Sequence, residues 1–238
     1  VHRLERVVSI QKVLNQQIEV METMTPQEFL EFRNYLVPAS GFQSIQFKIL
    51  EISLGLKSEF RIDFDKESFY SRLSKPHQDL LLSLEQMPSL FELVNEWLAR
   101  MPFLEMEDFT FWKHYQKATK NMLDDELEII RNNSHLSDKE RAFQLKEHKK
   151  TIESFSALFN KEKYSEIQQV GDVRLSQNAM LSAIFISLYR EEPIFSIPFK
   201  FLSCLTDIDE NLTIWRYKHM MMVQRMIGRK IGTGGSSG

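Results

Sequence analysis

The sequence is poor in residues that interrupt or cross-link a chain. Its 238 residues include 8 glycines, 7 prolines and 1 cysteine. The single cysteine, Cys204, excludes an internal disulfide framework and any metal site built from several cysteines, and it is typical of a reducing compartment. Strand patterns with a period of two are also absent, and long stretches run without glycine or proline. The composition therefore predicts an all-α protein.

Charge and hydropathy exclude further classes of protein. The 30 basic and 33 acidic side chains give a net charge of −3, without the basic excess that a nucleic-acid partner requires. No apolar run reaches the length of a membrane span, and no signal-peptide pattern begins the chain. We therefore expect a cytoplasmic protein with no nucleic acid and no membrane as partner. Because the chain opens in a helical pattern and stops in a glycine-rich stretch, we also expect it to belong to a larger protein.

The most informative stretch covers residues 214–228, which contain no proline and predict a helix. The helical period places Trp215, His219, Met222 and Met226 within one third of the circumference. An imidazole between an aromatic ring and soft thioethers is typical of an axial ligand that faces a flat, apolar cofactor. The alternative is a core histidine with a satisfied hydrogen bond.

Residues 232–238 follow this helix with the sequence Gly-Thr-Gly-Gly-Ser-Ser-Gly. Such a stretch offers backbone donors and hydroxyls but cannot pack a core. It is typical of a loop that closes over a ligand, and the alternative is a flexible linker.

A second candidate site begins at Thr25-Pro26-Gln27-Glu28, which predicts a helix start with a capping box. The helix places Phe29 and Arg33 one turn apart on one face. An aromatic ring beside a guanidinium suits an amino acid with a flat side chain, because the arginine can pair with its carboxylate. Ordinary surface packing is the alternative.

The middle of the chain is charge-balanced, with nine basic and nine acidic side chains between residues 120 and 163. It predicts two antiparallel helices joined near residues 132–134, with His114, His135 and His148 at the surface. We expect core helices at 1–102, an inserted charged helical hairpin at 103–170 and further core helices at 171–238. In the last segment we expect an apolar connector at 194–198 and a long helix from Phe199.

Four blocks of this sequence closely resemble the signature of the tryptophan 2,3-dioxygenase family. They are Phe-Leu-Glu-Phe-Arg at 29–33, Pro-Ala-Ser-Gly-Phe-Gln-Ser-Ile-Gln-Phe at 38–47, Trp-Arg-Tyr-Lys-His at 215–219, and the glycine-rich residues 232–238. The resemblance implies a haem-binding helical bundle of the tryptophan and indoleamine dioxygenase type. It also implies ferrous haem b as the cofactor, with His219 as the axial ligand of its iron.

The resemblance further implies two sets of site residues. Those expected to bind substrate are Arg33, Thr233, Phe29, Leu36, Ser40, Gly41, Gly232 and Gly234, with Arg33 on the carboxylate and Thr233 on the ammonium and carboxylate of tryptophan. Those expected to contact the cofactor are His219, Trp215, Ser40, Gly41 and Met222.

The function implied is oxidative cleavage of the indole pyrrole ring of L-tryptophan by O2, which gives N-formyl-L-kynurenine in the first step of the kynurenine route. The family acts as a homotetramer, a dimer of dimers, and carries its distal histidine in a helix before the region matched here. We therefore expect no catalytic side chain in this chain, so that either a separate N-terminal fragment supplies it or the chain alone is inactive. The alternatives are a non-catalytic homologue that binds haem and tryptophan, and a purely structural helical scaffold.

Overall fold

The structure is a computed structural model that describes residues 1–35, 42–56, 66–71, 73–100 and 110–227. Every regular element in these ranges is an α-helix, which confirms the all-α prediction. The helices are α1 (His2–Glu22), α2 (Pro26–Tyr35), α3 (Phe42–Leu54), α4 (Lys66–Ser71), α5 (Lys75–Glu85), α6 (Leu90–Ala99), α7 (Phe111–Asn132), α8 (Asp138–Ala157), α9 (Lys161–Gln169), α10 (Gln177–Leu188) and α11 (Pro193–Ile227).

The described residues form two compact units. The first contains those within Val1–Val94 and Ile186–Gly238, and the second contains those within Asn95–Phe185. The border predicted between residues 102 and 103 lies outside the described residues. The division into segments 1–102, 103–170 and 171–238 stays a prediction.

In the first unit, α1 and α11 lie side by side and run in the same direction. Glu5 of α1 pairs with Lys200 of α11 at 2.7 Å, Gln11 donates to the carbonyl oxygen of Ile208 at 3.0 Å, and Glu19 pairs with Lys218. The residue numbers rise together along both helices, as only a parallel pair allows. Both helices contribute to the core, through Val8, Ile18, Ile208 and Leu212 among others.

The end of α3 depends on Gly55, whose φ of 76° lies in the left-handed region. A Cβ atom at this position would lie 2.5 Å from the hydroxyl oxygen of Ser89. Ser89 begins α6 by exchanging hydrogen bonds with Glu92. Glycine therefore both ends α3 and lets the start of α6 approach it.

In the second unit, α7 and α8 form an antiparallel hairpin. Arg141 donates to the carbonyl oxygen of Arg131 at 3.0 Å, and His148 donates to that of Leu123 at 2.9 Å, so the numbers rise along one helix as they fall along the other. This confirms the predicted pair of helices joined near residues 132–134. Aromatic rings pack where the hairpin begins and ends: Phe111, Trp112, Tyr115, Phe155, Phe159 and Phe185.

Two sequence predictions were wrong. Residues 194–198 belong to α11 and form no connector, because Pro193 occupies the first position of the helix, where it has no hydrogen bond to lose. His148 was expected at the surface, but it is only 7% exposed. Its neighbouring charges suggested a solvated face, whereas the imidazole itself lies in the hairpin contact.

Candidate functional site

The candidate ligand, His219, lies in the C-terminal half of α11. Its imidazole stacks on the indole of Trp215, one turn earlier, with centroids 4.9 Å apart and planes inclined by 7°. His219 makes no hydrogen bond or ion pair with any residue that the structure describes. Desolvation of the imidazole lowers the pKa of His219 below its ordinary value, so the neutral, metal-binding form prevails at neutral pH.

These observations fit an axial ligand to haem iron. A structural histidine usually directs its ring nitrogens to acceptors or donors of the protein, and His219 does not use them in this way within the described chain. The stacked indole limits rotation of the imidazole. Met222, the next residue of the predicted face, is only 6% exposed and packs in the core, so the structure supports it as a support for the helix.

A second ring and three charged groups lie around Trp215. Phe47 of α3 stacks on the indole with centroids 4.9 Å apart and planes at 23°. Arg216 places its guanidinium carbon 5.5 Å from the centroid of the Phe47 ring and donates to Glu51 Oε1 at 2.8 Å. Lys48 Nζ lies 3.5 Å from the other carboxylate oxygen of Glu51. We call Phe47, Trp215 and His219 the ring stack, and Lys48, Glu51 and Arg216 the ion cluster.

The ring stack and the ion cluster escaped the sequence reasoning as groups. Phe47 fell inside a block that resembles the family, but nothing in a helical period shows which ring of another helix it will meet. One signal was available, since Phe47 and Glu51 are four residues apart and therefore share a face of α3. The charged face and the aromatic face of α3 are one face, and that face meets α11.

The other candidate helix, α2, begins as predicted. Glu28 accepts a hydrogen bond from the Thr25 amide at 2.7 Å, and the Glu28 amide donates to the Thr25 hydroxyl at 3.3 Å. The bond from the Thr25 backbone lowers the pKa of Glu28. Phe29 is half-buried, and α2 lies in contact with α11, the helix of His219. Arg33 belongs to α2, while its side chain lies outside what the structure describes.

The remaining predicted site residues lie outside the described residues. They are Leu36, Ser40, Gly41, Gly232, Thr233 and Gly234. Their roles stay predictions. The structure thus brings together Trp215 and His219, places their helix against that of Phe29 and adds Phe47 to the same neighbourhood.

Two searches of the described residues found nothing. No three histidine, cysteine, aspartate or glutamate side chains gather there as a metal site. No helix in the same ranges is long and apolar enough to cross a bilayer.

Comparison with known proteins agrees with the motifs. The family model of tryptophan 2,3-dioxygenase matches residues 1–238. The chain is 60% identical over 238 residues to the tryptophan 2,3-dioxygenase of Alteromonas mediterranea, covering all of this chain and 66% of that protein. It is 48% identical over 238 residues to that of Dictyostelium discoideum, covering all of this chain and 60% of the relative. It is 45% identical over 236 residues to that of Bdellovibrio bacteriovorus, covering 99% of this chain and 66% of the relative. The chain therefore spans about two thirds or less of the length of these relatives, and over all of its own length it belongs to the tryptophan 2,3-dioxygenase family.

Proposed function

We propose that the protein containing this chain is a haem-dependent dioxygenase that cleaves the indole pyrrole ring of L-tryptophan. Both atoms of O2 enter the product across the double bond of the pyrrole ring, which gives N-formyl-L-kynurenine. Haem b, when bound, supplies the ferrous iron at which dioxygen is activated. The observation that carries the proposal is His219, a neutral imidazole held against Trp215 and without a hydrogen bond in the described chain, within a chain that matches the family throughout.

In this proposal, His219 holds the iron on the proximal side through a ring nitrogen. The lowered pKa of His219 favours this, because a protonated imidazole cannot ligate. Trp215 keeps the ring in one orientation through the stack. Met222 anchors the same stretch of α11 in the core, and Ser40 and Gly41 contact the cofactor.

The substrate would be held mainly by α2 and by the glycine-rich residues after α11. Arg33 pairs with the tryptophan carboxylate through a charge-assisted, bidentate contact, and Phe29 packs against the indole. The half-burial of Phe29 and the contact between α2 and α11 support this placement. Thr233 holds the ammonium and carboxylate groups, while Leu36, Gly232 and Gly234 line the pocket.

We also propose that the protein acts in the cytoplasm as a homotetramer, a dimer of dimers. Exposed apolar side chains on α1 support an assembly, because Ile10, Val13 and Leu14 are 54%, 54% and 50% exposed. A row of this kind on a helix face is typical of a surface that a partner covers. Light scattering of the purified full-length protein tests the assembly, and a monomer would contradict it.

The activity is tested on the full-length protein in its ferrous state, without oxygen, by its optical spectrum before and after addition of L-tryptophan. Oxygen is then admitted, and formylkynurenine is followed. A haem band that shifts with tryptophan and then yields product supports the dioxygenase. Haem and tryptophan binding without product would instead support the non-catalytic homologue, and a protein that ignores haem would contradict both.

The substrate clamp is tested with Arg33→Ala. Loss of one charge-assisted bidentate contact should lower kcat/KM by roughly 30- to 1000-fold, which corresponds to about 2–4 kcal/mol. Arg6→Ala is the matched control, since Arg6 is an exposed arginine of α1. Equal kcat/KM values for the two variants would remove Arg33 from the site.

A further inference from the structure

The ring stack restrains Trp215 on its own. Phe47 and His219 both stack on this indole, at centroid distances of 4.9 Å each. Turning the indole about its side-chain torsions would therefore break at least one of two aromatic contacts. Such contacts contribute about 0.5–1.5 kcal/mol each beyond their buried area. Because Trp215 and His219 lie on one helix, the restraint on the indole passes to the imidazole.

Phe47 is in turn tied to the ion cluster. Arg216 extends over its ring, with the guanidinium carbon 5.5 Å from the centroid, and the same guanidinium is held by Glu51 at 2.8 Å. The Glu51 side chain is only 5% exposed, so the pair is poorly screened by water. Lys48 approaches the other oxygen of the carboxylate at 3.5 Å. The result is a continuous series of contacts from Glu51 through Arg216 and Phe47 to Trp215 and His219.

A buried carboxylate between two cations is a weak source of stability. Desolvation offsets most of the attraction, and apolar residues of similar volume often stabilise a protein as well or better. The distinctive effect of the cluster is directional: it fixes α3 against α11 at the turn that carries Trp215 and His219.

We propose that Glu51 is a positioning residue, which fixes the plane of the His219 imidazole through Arg216, Phe47 and Trp215. This inference rests on the proposed function, in which His219 ligates haem iron. Residues that orient a metal ligand commonly change affinity or activity by about 10- to 100-fold when they are replaced. We therefore expect the same order of effect on haem binding.

The test compares Glu51→Gln with Glu5→Gln in the full-length protein. Glu5 makes the same kind of contact to α11, through Lys200 at 2.7 Å, but 16 residues and about 24 Å along the helix axis from Arg216. Three quantities are measured: the dissociation constant of haemin from the apo-protein, the iron–histidine stretching band of the ferrous haem protein by resonance Raman spectroscopy, and the melting temperature of the apo-protein.

For Glu51→Gln, we expect haemin to bind about 10-fold more weakly and the iron–histidine band to shift or broaden. Glu5→Gln should leave both unchanged. A Glu51→Gln protein with the parental band and parental haemin affinity, whatever its melting temperature, would overturn the positioning role. A parental protein that binds no haemin would overturn the proposed function and the positioning role together, so the two failures are distinct.

Phe47 provides a second pair of variants that leaves every charge in place. Phe47→Leu removes the stack on Trp215, and Phe47→Tyr keeps a ring of the same shape. The iron–histidine band should change in the leucine variant and return to the parental band in the tyrosine variant. If both variants have the parental band, the series of contacts does not reach His219 and the proposal fails, even where Glu51→Gln does not fold.

Discussion

His219 and His148 show two opposite uses of a histidine in one chain. His148 is 7% exposed, donates from Nε2 to the carbonyl oxygen of Leu123 at 2.9 Å and has Glu126 at 3.7 Å from Nδ1. His219 remains exposed as a residue, stacks on an indole and has no hydrogen bond within the described chain. Burial alone would select the wrong residue as the ligand. Saturation of the ring nitrogens separates the two, because a nitrogen engaged in the fold is not available to a metal.

The difference assigns separate consequences to the two residues. Replacing His148 removes contacts that hold two helices of the second unit together. Replacing His219 removes few contacts of the fold but removes the proposed iron ligand. The predictions below therefore test whether stability and haem binding respond to different histidines.

The largest expected effect is on haem binding by His219→Ala. Loss of the only proposed protein ligand should weaken haemin binding to the full-length apo-protein by at least about 100-fold, or roughly 2.7 kcal/mol. The free energy of unfolding should change by less than about 1 kcal/mol, since the side chain is not in the core. Haemin titration and urea unfolding measure the two quantities. A haem-replete variant of parental stability would refute the assignment of His219.

The next effect is on stability, by His148→Ala. Deleting a buried ring and leaving the Leu123 carbonyl without its donor should lower the free energy of unfolding by about 2–4 kcal/mol. Haemin affinity should stay at the parental value. His135→Ala, at an exposed position of the turn after α7, is the control and should change stability by less than about 0.5 kcal/mol. Parental stability combined with weakened haemin binding would erase the comparison.

A smaller effect is expected in the pH dependence of the apo-protein. The pKa of His219 is lowered from 6.5, so the unfolded chain binds more protons than the folded one between the two values. The free energy of unfolding should therefore rise with pH through this window and level off above about 6.5. His219→Gln should show a shallower rise in urea unfolding at a series of pH values. The slope is small, because water screens the exposed part of the residue. A steeper rise in the variant would contradict the sign.

The smallest effect is expected for Glu126→Gln. The carboxylate lies 3.7 Å from Nδ1 of His148 and its side chain is 51% exposed, so water screens the interaction. We expect a change of about 0.5 kcal/mol or less in the free energy of unfolding at neutral pH. Glu128→Gln is the matched control, since Glu128 makes an exposed pair with Arg131. A loss well above that of the control would show that His148 is charged in the folded protein.

Local chemistry made much of the fold predictable from sequence. The capping box at Thr25 and Glu28 is present, and the helix break at Pro88 separates α5 from α6. Both features depend on residues a few positions apart. The burial of His148 was not predictable in this way, because it depends on Leu123, 25 residues earlier in the chain.

The same limit applies to the candidate site. The helical period placed Trp215 and His219 on one face, and their stack confirms it. The period could not indicate that Phe47 lies on the same indole, or that Glu51 holds Arg216 across 165 residues of sequence. Contacts of this kind depend on how distant helices pair, and no single stretch of sequence encodes that.

The parallel pairing of α1 with α11 also has a consequence for the order in which the chain folds. Gln11 and Ile208 are 197 residues apart in sequence, and Asn15 and Asn211 are 196 residues apart. At the usual rate of synthesis, α1 leaves the ribosome roughly 10–40 s before the helix that covers it. Val8 and Ile18, which are buried in the folded chain, remain uncovered during that interval. Folding of the first unit is therefore expected to finish late, with a non-local step that exposes α1 to chaperones and to aggregation until α11 arrives.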